Sequence, residues 1–124
     1  MLRLVGVGVG VEEFQWSEDE QVWPFEKAKD GSTLYCTEVD FGALPNNGTK
    51  FISIVDHIPS LNGKNAWSHV FNYTFSYGAS DFDTFRKYHS LSVLGTFLEA
   101  GDIGVVTNFD YSAITGIFRV IYKK

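Results

Sequence analysis

Three observations predict an all-β chain, folded as an antiparallel β-sandwich of jelly-roll or Ig-like type with about seven to eight strands. Apolar and polar residues alternate with period two over several segments, and none sustains an amphipathic helix beyond about one turn. Turn signals such as Asp30-Gly31 and Pro45-Asn46-Asn47-Gly48 separate these segments at short intervals. Aromatic residues make up 16% of the chain, and large flat rings suit the pleated, half-buried face of a sheet.

Leu4 to Val11 reads as the first strand, with Val5, Val7, Val9 and Val11 on one face and Gly6, Gly8 and Gly10 on the other. A bare glycine face admits another backbone at close range, so residues 1–15 are expected to serve as an oligomerisation or anchoring strand. The phosphate-loop reading of this repeat fails, because the order of strand, loop and helix and the spacing of the loop residues are incomplete. Ser17 and Glu20 have capping-box spacing, but Pro24 limits any helix there to one turn. Lys29-Asp30-Gly31-Ser32 is a turn, since Asp-Gly supplies the positive φ of a tight hairpin. Strands are then expected over about Thr33–Phe41 and Lys50–Asp56, with Leu44–Gly48 turning between them.

Ala66–Tyr77 is the clearest strand, its odd positions being Trp67, His69, Phe71, Tyr73, Phe75 and Tyr77 against small or polar even positions. This aromatic wall reads as core or subunit interface, with Tyr77 its most exposed member. Gly78–Ser90 is long for a hairpin loop, and long loops on a β scaffold often carry binding. Its Phe82, Phe85, Arg86 and Tyr88, together with Tyr77, are the candidate binding residues, and Trp67 is a further one. Leu91–Leu98, Ile103–Asn108 and Thr115–Tyr122 complete the strands, with Gly101 and Gly116 marking turns or irregularities. Neither a repeat nor a linker divides the chain, so residues 1–124 form one domain.

Charge and motifs narrow the function. The net charge of -5 disfavours a nucleic-acid partner, and no apolar run is long enough to insert in a membrane. The apolar opening lacks a cleavage site, so no signal peptide is expected. Cys36 is the single cysteine and reads as a small buried hydrophobe. His57, His69 and His89 are scattered, which leaves no metal-ligand spacing. Asp56-His57 would point to opposite faces of a strand, and Asp81, Asp83 and Asp102 carry no pairing signal. No catalytic residue, metal or cofactor is assigned, and the chain is not expected to be an enzyme.

Three fragments carry a resemblance. Trp16–Gln21 (WSEDEQ), Asp30–Tyr35 (DGSTLY) and Val39–Lys50 (VDFGALPNNGTK) follow one another in the order of a module found in bacteriophage tail fibres and minor structural proteins. That module has an S-x-E-E-Q turn, a DGKPLY-like hairpin and a DFGALPN-x-T-K strand-turn-strand. Its closing aspartate, Ser/Thr-Gly turn and Tyr-Lys strand resemble Asp110-Tyr111-Ser112, Thr115-Gly116 and Val120–Lys124. The chain departs from it at Trp23-Pro24-Phe25-Glu26, where the module has Gly-x-Trp, and His57 lies later than the module's histidine. The resemblance implies a homotrimeric virion protein on the phage tail or capsid surface, in contact with other virion proteins. It implies a tail fibre or tail tip that binds a host surface glycan, or a capsid decoration, head fibre or collar piece with a structural role. A carbohydrate-binding module or enzyme unrelated to phages is the remaining alternative.

Overall fold

The structure, a computed structural model, describes residues 14–78, 93–98 and 101–124. The expected Leu4–Val11 strand lies outside the described residues, as do residues 79–92 and with them most of the Gly78–Ser90 loop. Strands β1 (Gln21–Val22), β2 (Tyr35–Ala43), β4 (Val70–Gly78) and β7 (Thr115–Tyr122) form a four-stranded sheet in the order β1-β2-β7-β4. Strands β3 (Thr49–Ser53), β5 (Val93–Leu98) and β6 (Asp102–Thr107) form a three-stranded sheet in the order β3-β6-β5. Every pairing is antiparallel. The chain is all-β and two-layered, as its alternation predicts.

Period two sorts the side chains. Val39 and Phe41 of β2 share the inner face with Phe118, Val120 and Tyr122 of β7, and they meet Ile103 and Val105 of β6 in one buried cluster. Connections supply the rest of this core. Ile54, Ile58 and Leu61 are all buried, and their i, i+4, i+7 spacing suits a helical path rather than a strand. Two 3-10 turns, Ile54–Asp56 and Pro59–Leu61, make that path, with the Ile58 N–H donating to the Ile54 carbonyl at 2.8 Å. The expected strand over Lys50–Asp56 therefore stops at Ser53, and Asp56 and His57 sit in a turn.

The aromatic wall is also shorter than expected. Ala66–His69 is one turn of helix, α1, and the strand begins at Val70. A bulge between Val70 and Asn72 adds one residue and turns Phe71 outward, 45% exposed, while Tyr73, Phe75 and Tyr77 pack on the core. Phe71, not Tyr77, is the exposed ring of this strand. The side chain of Trp67 lies outside the described residues. Gly116 marks an irregularity within a strand rather than a turn: it pairs with Gly42 and Tyr77 inside β7, beside the bulge in β2. A Cβ there would lie 2.7 Å from the Phe75 ring, so the missing side chain makes room for that ring.

The DFGALPNNGTK stretch is the corner where the chain leaves one sheet for the other. Asp40 Oδ1 accepts the Gly42 N–H at 2.9 Å, and Gly42 takes φ +78° at a bulge in β2. Lys50 folds back so that Nζ donates to the Phe41 and Ala43 carbonyls at 3.0 and 2.7 Å, over the Phe41 ring. Leu44 is buried, and its N–H donates to the Ile114 carbonyl at 2.9 Å. The Pro45 carbonyl accepts from the Tyr111 N–H and the Thr107 hydroxyl. Most polar and special residues of the motif answer a backbone need of the corner itself.

Candidate functional site

The end of the four-stranded sheet opposite this corner gathers the exposed Phe25 and Phe71 with several cationic side chains. It is built on the hairpin between β1 and β2. The Trp23 N–H donates to the Leu34 carbonyl at 2.9 Å, and the Ala28 N–H to the Ser32 carbonyl at 3.0 Å. Gly31 takes φ +87°, the conformation that only glycine adopts without cost. Asp30 Oδ1 accepts both the N–H and the hydroxyl of Ser32, at 3.0 and 2.5 Å. Those two bonds hold the Asp30 carboxyl below its ordinary pKa.

One flank of the hairpin is aromatic. Phe14, Trp16, Trp23 and Phe25 form a continuous cluster, with Phe14 edge-on to each of the other three at 5.4 to 5.6 Å. Phe14, Trp16 and Trp23 cover Leu34, Cys36 and Ile121 on the outer face of the sheet. Burial pushes the Cys36 thiol up to about 11, which removes it as a nucleophile at neutral pH. The cluster is capped on one side only: Phe25 is 46% and Val22 54% exposed. Trp23 Nε1 is buried with no hydrogen-bond partner among the described residues. Arg119 lies 5.4 Å over the Trp16 ring and pairs with Glu38 at 2.9 Å, which fixes the far rim.

The other flank is cationic. Asp30, Ser32, Thr33, Tyr35, His69, Lys123 and Lys124 line an open cleft of about 590 Å³. A second cleft of about 290 Å³ shares His69 and Lys123 and adds Lys29 and the exposed Phe71. The aromatic flank has its own cleft of about 270 Å³, lined by Trp23 and Phe25 and meeting the first at Thr33. His69 Nδ1 lies 3.0 Å from the Asn65 carbonyl. That oxygen can only accept, so Nδ1 carries a proton there.

Behind the cationic flank sits a polar cluster that ties it down. The Thr37 hydroxyl donates to the Tyr122 hydroxyl at 2.6 Å, and the Tyr122 hydroxyl donates to Glu20 Oε2 at 2.7 Å. Ser60 donates to the same Glu20 oxygen at 2.7 Å, and Lys124 Nζ lies 2.8 Å from Oε1. Burial works to raise the Glu20 carboxyl, but the hydrogen bonds from Lys124, Tyr122 and Ser60 outweigh it and leave it below its ordinary value. Burial, aided by the neighbouring Glu20 carboxylate, pushes the Tyr122 hydroxyl far up, so it stays a neutral donor. The bond to Glu20 raises the Lys124 ammonium and keeps it charged.

Of the candidate binding residues, the structure describes Tyr77 alone. It is half-buried and stacks on Phe75 at 5.9 Å, at the corner end of the sheet, away from the hairpin. Phe82, Phe85, Arg86 and Tyr88 lie outside the described residues. The aromatic flank was legible in part, since Phe14/Trp16 and Trp23/Phe25 are both i, i+2 pairs, which share a side on extended chain. The cationic flank carried no such signal, because Lys29, His69 and Lys123-Lys124 are far apart in sequence. Among the described residues no group of three His, Cys, Asp or Glu is placed to hold a metal, and no helix is long and apolar enough to cross a membrane. Compared with known proteins, the chain matches no family model, no curated protein and no solved structure.

Proposed function

We propose that this chain is a structural module of a bacteriophage virion, a tail-fibre or tail-tip domain that attaches the particle to a host surface glycan. The observation that carries the reading is the half-exposed aromatic cluster beside polar clefts at the hairpin end. Aromatic rings pack against the C–H faces of sugars, and flanking polar groups fix their hydroxyls. The resemblance of the corner and hairpin sequences to tail-fibre modules supplies the setting, while the corner itself serves the frame. A single such platform binds weakly, and the homotrimer we propose would raise its strength through effective concentration. Purified protein is expected to adsorb to host cells, and Phe25→Ala to abolish most adsorption while leaving the circular dichroism unchanged. Adsorption that survives this change unaltered would remove the cluster from the binding role.

One feature favours the alternative of a purely structural virion part. Among the described residues β4 pairs with β7 alone, which sets it at the edge of the four-stranded sheet. Val70–Gly78 carries no charge and no proline, the devices that usually blunt such an edge. Light scattering decides between the two: a stable oligomer with no affinity for cells would favour assembly over attachment.

A further inference from the structure

We infer that the cleft between Thr33, His69 and Lys123 takes an anionic sugar, one that bears a carboxylate or a phosphate. This rests on the attachment reading above and specifies the ligand class of that site.

Charge is the first ground. The chain carries a net charge of -5, yet Lys29, Lys123 and Lys124 converge with His69 on two connected clefts. The acids nearby have partners of their own. Asp30 spends an oxygen on the two Ser32 bonds, and Glu20 accepts from Tyr122, Ser60 and Lys124. Lys123 and Lys29 form no ion pair among the described residues, and the Asp30 carboxylate that shares the cleft with Lys123 offsets only part of their combined charge. Placement is the second ground. The Lys123 N–H donates to the His69 carbonyl at 2.9 Å, which locks the C-terminal strand to α1 and sets both side chains on one wall. Shape and chemistry of the adjoining wall are the third. Ser32 and Thr33 place hydroxyls beside the cations, and Trp23 and Phe25 follow across Thr33 on the aromatic flank. An anionic group on the lysines would leave a sugar ring in reach of these hydroxyls and rings. A free inorganic anion would use the lysines alone.

The test is titration of the full chain, followed by NMR or calorimetry, with four probes. They are a glucuronic-acid-containing oligosaccharide, a sugar-phosphate oligomer, a neutral glucose oligomer and inorganic phosphate. The expected result is binding of one or both anionic saccharides, at least about tenfold tighter than the neutral oligomer and phosphate, and weakening with added salt. Preference between the first two probes tells carboxylate from phosphate. Lys123→Gln is expected to reduce affinity about tenfold, the size of one charge-assisted hydrogen bond, and Lys64→Gln, which lines none of the three clefts, to change nothing. Lys29→Gln, on an exposed side chain, serves as the second variant should Lys123→Gln disturb the fold. Binding of the neutral oligomer alone would overturn the anionic assignment and spare the attachment reading. Failure of every saccharide, with no adsorption to cells, would overturn both.

Discussion

The Lys50 corner and the Glu20 cluster brace the same four-stranded sheet at opposite ends, and they are made from opposite kinds of chain. The Asp40 and Lys50 bonds of the corner stay within one short stretch, Asp40 to Lys50, and Lys50 Nζ satisfies carbonyls only seven and nine residues away. The Glu20 cluster joins Glu20, Thr37, Ser60, Tyr122 and Lys124, with the Tyr122–Glu20 bond spanning 102 residues. Depth differs too. Thr37 and Tyr122 are fully buried, whereas Lys50 sits near the surface. A lost partner in the cluster strands a hydroxyl away from water, while a lost partner at the corner exposes carbonyls that water can reach. The local device is therefore the more recognisable one and the distant device the more costly to break.

The largest effect is expected where the corner leans on the far half of the chain. Gly116 pairs with Gly42, and a Cβ there would lie within 3.0 Å of both Phe75 and Leu44. Gly116→Val is expected to cost about 3 kcal/mol by overpacking. Adding Phe75→Ala should recover part of that loss in a double-mutant cycle read by urea denaturation. Additive losses would mean that the ring and the glycine do not share that space.

Tyr122→Phe comes next, at about 2 kcal/mol, because it removes two hydrogen bonds and leaves the buried Thr37 hydroxyl without its acceptor. Thr37→Val in the same background should restore stability, since an apolar pair of similar shape strands nothing. Lys50→Met follows at about 1 kcal/mol, or about 4 °C in Tm. If Lys50→Met proved costlier than Tyr122→Phe, depth would not be what separates the two braces.

This contrast also explains what the sequence made legible. The two-layer β class followed from alternation in Tyr35–Ala43 and Thr115–Tyr122, where each face is a local property of the strand. The turn at Asp30-Gly31 followed from the one residue type that tolerates φ +87°. Two features broke the period and were misread. The bulge at Phe71 shifts parity by a single residue, and the Ile54/Ile58/Leu61 spacing belongs to helical turns. The cationic cleft was invisible for the same reason as the Glu20 cluster. Its members come from the hairpin, from α1 and from the C-terminal strand, and only the fold brings them to one wall.

The smallest effect is the most specific to Glu20, and it is expected in acid. Its carboxyl sits below its ordinary value of 4.5 in the folded protein, so the unfolded chain takes up the proton first as pH falls. The stabilisation is complete above that ordinary value and disappears as pH falls through the lower folded value. Lys124 behaves in the opposite sense: its ammonium is raised by the Glu20 bond, so its contribution is present at neutral pH and fades only in strong alkali. On the acid side, Glu20 is thus the member of the pair that titrates. Glu20→Gln should lower Tm at pH 7 by a few degrees, and the gap from the parent should close as pH falls through the lowered folded value. A gap that stayed constant to low pH would assign the loss to the shape of the side chain, because protonation makes the parent carboxyl as neutral as the amide.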